Sequence, residues 1–189
     1  REKDMSAFLI LLVIIALVVL AFVVIYNGLV RLRNMCEQAW SDIDVQLKRR
    51  YDLIPNLVET VKGYASHEKE TFEKVVQARS QAMQATSPAD KAQAENILQS
   101  TLKSLFAIAE AYPDLKANQN FIQLQTELAN IEEQIQLARR YYNAVVRDLN
   151  TKIQSVPSNF VASMFNFQKR EYFELESAEE RKAPQVSFS

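Results

Sequence analysis

The chain has 189 residues and a formal net charge of −1, with 22 Lys and Arg against 23 Asp and Glu, so the basic excess expected of a nucleic-acid binder is absent. Two glycines, Gly28 and Gly63, argue against a glycine-rich phosphate loop and a turn-rich β fold, and one cysteine excludes an internal disulfide framework. The length after Val30 suits one domain of ordinary size.

The first predicted element is a membrane span. Met5 to Val30 carries no charged residue, and Phe8 to Ile25 consists of Leu, Ile, Val, Phe and Ala alone. As a helix the uncharged run reaches ~39 Å, against a hydrocarbon core of ~30 Å. Sixteen Leu, Ile, Val or Phe residues between Phe8 and Ile25 sum to roughly −6 kcal/mol on the insertion scale. The apolar core is longer than that of a cleaved signal, and Ile25-Tyr26-Asn27 offers no small-residue cleavage site, so the span is expected to be retained. Nothing ionisable lies between Ser6 and Tyr26, which predicts an anchor and not a transport element. Ala7, Ala16 and Ala21 make no small-xxx-small pair for tight dimerisation in lipid. Arg1 and Lys3 precede the span, whereas Arg31, Arg33 and then Lys48, Arg49 and Arg50 follow it. The positive-inside rule therefore predicts a short exterior N-terminus and a cytosolic domain.

A long helix is expected to continue from the span, with an apolar stripe at Trp40, Ile43, Leu47, Tyr51, Ile54, Val58, Val61, Ala65, Phe72, Val75 and Met83. Pro55 interrupts its hydrogen bonding at a cost of ~3 kcal/mol. Either Asp52 caps a new helix there or the helix kinks; the stripe keeps phase across Pro55, which favours the kink. Asp52, Pro55 and Asn56 then form a candidate hinge or docking notch, with Asn56 filling part of the hydrogen-bond gap, or else a purely structural kink.

Ser87 and Pro88 are a capping residue and a first helical residue. The helix that follows is expected to bury Ala94, Leu98, Thr101 or Leu102, Leu105 and Ala109, ending at Tyr112 before Pro113. After a turn through Pro113, Asp114 and Leu115 with Asn118 to Asn120, a three-four alternation runs through Phe121, Leu124, Leu128, Ile131, Ile135, Ala138, Tyr142, Val145 and Leu149. Pro157 stops this helix near Ser155. A short fourth element is expected from Ser158 to Phe167. Short turns between long amphipathic helices predict antiparallel neighbours, so the fold class is all-α: one transmembrane helix continuing into an up-down antiparallel bundle. The expected divisions are a tail over 1–5, the span over 6–30, the bundle over 31–167 and a C-terminal tail over 168–189, disordered past Glu179 unless a partner orders it.

His67 lacks companion ligands for a metal, and Cys36 reads as a small buried residue on the stripe Leu29, Leu32, Cys36, Ala39. The paired carboxylates Asp42 and Asp44, or Glu132 and Glu133, are neighbours that do not face each other on a helix. No catalytic, cofactor-binding or metal residue is predicted. The sharper candidate is aromatic: Phe160, Phe165, Phe167, Tyr172 and Phe173 crowd a polar C-terminal stretch. They either close the bundle or form a partner or self-assembly surface.

Tyr26-Asn27-Gly28-Leu29-Val30-Arg31-Leu32-Arg33, the run from Ala39 to Arg50 and the run from Asp52 to Val58 closely resemble the LemA family of bacterial membrane proteins. Tyr141 to Asn150, Pro157 and Phe165-Asn166-Phe167 are similar to its C-terminal half, so the likeness covers nearly the whole chain. The resemblance implies an exterior N-terminus, one span and an antiparallel helical bundle in the bacterial inner membrane. It supplies no catalytic residues. Members are often encoded beside membrane-embedded zinc metalloproteases, and a relative takes part in building magnetosome membranes. The expectation is therefore a non-enzymatic scaffold or adaptor that binds membrane proteins and self-associates, the alternative being a membrane-shaping homomeric array.

Overall fold

The computed structural model describes residues 2–174 and is all-α over them, a long N-terminal apolar helix leading into an antiparallel helical bundle. Helix α1 spans Glu2–Lys62, α2 Lys69–Gln84, α3 Pro88–Ala111, the single turn α4 Pro113–Lys116, α5 Gln119–Gln154 and α6 Ser158–Met164. The chain divides into two units, residues 1–40 with 142–170 and residues 41–141 with 171–189, so α1 and α5 each contribute to both.

The first unit holds the apolar run. Side chains from Phe8 to Leu20 are all exposed, as a helix built to be covered by lipid requires, and α1 alone among the described helices is long and apolar enough to cross a bilayer. The helix is already formed at Glu2. Residues 2–5, expected as part of a short tail, belong to α1. Burial begins at Leu29 and continues at Cys36 and Ala39, where α1 meets the C-terminal half of α5; Trp40 packs against Tyr142 with ring centroids 5.3 Å apart. Gly28 leaves room for Lys152, whose Nζ would stand 3.1 Å from an added Cβ. Beyond α6, Asn150 binds the backbone of Arg170 twice, its Nδ2 donating to the carbonyl and its Oδ1 accepting from the N–H, both at 2.9 Å. This pairing gives residues 168–170 a fixed place against α5, although the whole stretch over 168–189 was expected to be a tail. Asn150→Ala should therefore leave the bundle folded while tryptic cleavage at Lys169 and Arg170 accelerates severalfold, as limited proteolysis would show. The disorder expected past Glu179 lies outside the described residues.

In the second unit the stripe of α1 packs as its period requires: Ile43, Leu47, Tyr51, Ile54, Val58 and Val61 are buried. Each such aliphatic side chain contributes ~1.5–3 kcal/mol. The helix does not run on to Met83, however. It ends at Lys62, and residues 63–68 reverse the chain through turns that begin at Gly63. Gly63 is the weakest helix former in the stretch, and Tyr64 and Ala65 both bond back to the Val61 carbonyl, closing the end. Phe72, Val75, Ala78 and Ala82 bury the face of the separate helix α2. Ser87 caps α3 as expected, its Oγ accepting from the Asp90 N–H at 3.1 Å with Pro88 in the first turn. The seam of α5 is buried at Phe121, Leu128, Ile131 and Ile135, and Phe121 meets Phe106 of α3 edge-on at 6.1 Å.

Pro55 lies inside α1 without ending it, so Asp52 caps no new helix. A proline at that position leaves the Tyr51 carbonyl without its usual helical donor. Arg79 of α2 supplies one: its Nε donates to Tyr51 O at 2.8 Å. The gap is thus filled from a neighbouring helix and not by Asn56, whose side chain is exposed along with those of Asp52 and Pro55. Arg79→Ala should cost about 1–3 kcal/mol. The loss should shrink by more than half in a Pro55→Ala background, where residue 55 regains an N–H; urea denaturation of the two pairs measures the coupling.

Candidate functional site

The most concentrated polar chemistry in the described residues is buried in the second unit. Arg50 sits one turn after Leu47 and one turn before Ile54, on the inward stripe of α1, which carries its guanidinium into the core. Its Nη1 donates to Glu95 Oε2 of α3 at 2.5 Å, and its Nη2 donates to Glu132 of α5. The Tyr51 hydroxyl donates to the other oxygen of Glu95. Side-chain exposure is 4% for Arg50, 0% for Glu95 and 29% for Glu132, so one end of the cluster is dry and the other reaches the surface. Gln136 Nε2 donates to Glu132 Oε1 at 2.9 Å. Lys91 lies above the Tyr51 ring, 3.6 Å from Asp44 and bonded to the Ala85 carbonyl at 3.3 Å.

The electrostatics follow from this packing. Burial works against the charge on Arg50, but Glu132 and Glu95 outweigh it and hold the guanidinium above its ordinary range. Burial likewise opposes the Glu132 carboxylate, and Arg50 overcomes it, with the net effect that Glu132 is held below the usual carboxylate range. Burial, reinforced by Glu95, pushes the Tyr51 phenol far up, so Tyr51 remains a donor throughout the accessible pH range. Three helices are tied together by these side chains. Such a cluster specifies which helix faces which, and is well suited to that.

The cluster was not recognised in the sequence, where Arg50 counted among the positives after the span and in the run from Ala39, Tyr51 stood on the apolar stripe, and Glu132 was paired only with Glu133. A signal was present. Arg50 falls on the Ile43, Leu47, Ile54 stripe, and Glu95 falls between Ala92 and Leu98 on the buried face of α3, which is Lys91, Ala92, Glu95, Leu98, Leu102, Leu105 and Ala109. Ala94, expected in that face, is only half-buried.

The candidates named from sequence are placed as follows. Asp52 lines a surface groove of about 560 Å³ with Arg49, Leu53, Glu127, Asn130, Ile131 and Gln134, between α1 and α5. His67 is exposed, in the turn before α2 and not on a helix. Cys36 is fully buried, and burial pushes its thiol up against the opposing pull of Arg170. The aromatic group divides. Phe167 and Phe173 are buried, whereas Phe160, Phe165 and Tyr172 are exposed by 67%, 47% and 39%. Phe165 nonetheless touches α1, its ring 4.7 Å from Tyr26 and 5.8 Å from Phe22, and Phe167 lies 6.0 Å from Tyr26 under the Arg33 guanidinium. The motifs at Tyr26 to Arg33 and at Phe165 to Phe167 are thus one structural unit.

In comparison with known sequences, the model described as LemA family matches residues 39–188, a region that includes Phe165 to Phe167. The chain belongs to the LemA family. Protein LemA of Metamycoplasma hominis is 30% identical to it over 157 residues, covering 81% of this chain and 70% of the relative. Magnetosome protein MamQ 2 of Paramagnetospirillum magneticum is 25% identical over 198 residues, covering 89% and 73%. Magnetosome protein MamQ of Magnetospirillum gryphiswaldense is 24% identical over 174 residues, covering 78% and 64%. The region matched to LemA begins at Ala39 and includes Arg50, Glu95 and Glu132. Membership in LemA and the exposed apolar length of α1 together fit a membrane protein.

Proposed function

We propose that this LemA chain is a non-enzymatic scaffold or adaptor, anchored in the bacterial inner membrane with its helical domain in the cytosol. In this reading it binds membrane proteins, a membrane-embedded zinc metalloprotease among them, and self-associates. The observation that carries the reading is α1: one unbroken helix of 61 residues includes both the apolar run and the stripe on which the bundle is built. A binding module held that close to lipid meets partners confined to the same plane, where effective concentration replaces intrinsic affinity. The buried cluster supports the same reading, because its groups hold helices together and its charges are turned to one another. Crosslinking in native membranes followed by purification should bring down a defined membrane-protein partner. The second reading, a membrane-shaping array, draws on the similarity to the two magnetosome proteins. It predicts long homomeric ladders and deformed liposomes in place of a defined partner.

Orientation needs a probe other than the natural thiol, since Cys36 is buried. With Cys36→Ala and His67→Cys, an impermeant maleimide should label the exposed turn only after cells are lysed. Labelling in intact cells would reverse the assignment.

A further inference from the structure

The short helix α6 has two apolar faces where a helix of a water-soluble bundle needs one. Val161 and Ala162 are buried inward, while Phe160 and Met164, four residues apart on α6, are exposed by 67% and 69%, and Val156 in the turn just before the helix is exposed by 75%. Phe165 extends the outward patch. Its neighbours on α1 determine where the patch stands: Phe165 packs on Tyr26 and on Phe22, and Phe22 lies three residues inside Ile25, the end of the pure apolar run. At ~1.5 Å per residue, Phe22 is ~4–5 Å deeper than that end. A side chain touching Phe22 is therefore level with the boundary between acyl chains and headgroups. Asn166, with φ 56°, then turns the chain away, and Phe167 tucks back beneath Arg33.

We propose that α6 and the residues flanking it form a membrane wedge, in which the exposed Val156, Phe160, Met164 and Phe165 are sunk into the interfacial layer of the bilayer that holds α1. Continuity with the span selects lipid as the occupant. Four side chains are also far fewer than the 20–30 residues a side in a stable protein interface, so a second copy docked on this face alone would hold poorly. Lys152, lying along Gly28 of α1 one turn before Arg31, places a cation at headgroup level beside the wedge. The chain thus touches the membrane twice, through a span and through an interfacial element, and the second contact fixes how the first unit is rotated about the axis of α1.

The test uses the full chain in phosphatidylcholine–phosphatidylglycerol vesicles, with Cys36→Ala and a nitroxide label at Phe160→Cys or Met164→Cys. Collisions with oxygen should exceed those with a water-soluble nickel chelate at both sites, at a depth of ~5–10 Å, as for other interfacial helices. Val18→Cys should report greater depth and His67→Cys water. In an independent measurement that leaves Cys36 in place, Phe160→Trp should add fluorescence that acyl-brominated phospholipids quench. A nickel-accessible label like that at His67→Cys would overturn the wedge. So would shielding from both collision partners, the signature of a protein interface. A watery Val18→Cys would defeat the membrane anchoring itself, a failure distinguishable from that of the wedge.

Discussion

Arg50→Ala should destabilise the bundle by about 3–5 kcal/mol, a large fraction of the 5–15 kcal/mol that holds a typical domain folded. The loss comes less from the attraction removed than from what stays behind. Glu95, with no side-chain exposure, would keep only the Tyr51 hydroxyl as partner for a buried charge. Glu95→Ala should be of similar size, whereas Arg50→Met combined with Glu95→Leu should recover much of the loss, because both charges leave together. Denaturant titration of the four proteins gives the coupling energy. If each single change costs less than 1 kcal/mol, the cluster does not organise the helices. Acid should act on the same contacts. Glu132 is held below its usual range in the folded protein, so the stability it contributes is complete above its unfolded value of ~4.3 and is lost as pH falls through the lower native one. Glu132→Gln should flatten stability across that acid window and leave the neutral region parallel to the natural chain.

Two aspartates in the span should abolish membrane integration where one does not. Replacing Ile14 by Asp removes ~0.5 kcal/mol of insertion energy and adds ~3, so one change leaves a net favourable balance from the roughly −6 kcal/mol of the apolar run. Adding Val18→Asp, one turn on, brings the total penalty to ~7 kcal/mol and reverses the sign. Both positions are exposed on α1, so neither change disturbs a packed contact. Carbonate extraction of membranes should leave the Ile14→Asp chain in the pellet and release the double variant. Extraction of the natural chain would contradict the reading of α1 as a span.

Much of the architecture was legible because it is periodic. The seam from Phe121 to Leu149, the Ser87 cap and the stop near Ser155 depend on local rules that tolerate little ambiguity. What escaped depends on partners distant in the chain. The turn at Gly63 was hidden because Phe72 and Val75 happen to extend the α1 stripe in phase, so periodicity ran through a break that chain reversal required. Arg50 and Glu95 were hidden for the opposite reason: a charge on a seam reads as an imperfection until its counterpart is seen across the core. Arg79 is the clearest case, since nothing near Pro55 in sequence announces that α2 will donate to the carbonyl that proline leaves open. The aromatic cluster was visible as composition, but which rings turn inward depends on the positive φ at Asn166.

The ion-pair cluster also sets a timetable for synthesis. Arg50 lies 45 residues ahead of Glu95 and 82 ahead of Glu132. At 5–20 residues per second, about 4–16 s separate the emergence of the arginine from that of its last partner. During that interval the apolar run is already available to the insertion machinery, while the inward stripe behind it has nothing to pack on. The charges along residues 31–62, Arg50 among them, keep the waiting segment wet and make it a poor second candidate for the bilayer. The residue that later locks the bundle would first be one of the many charges that keep this part of α1 in water.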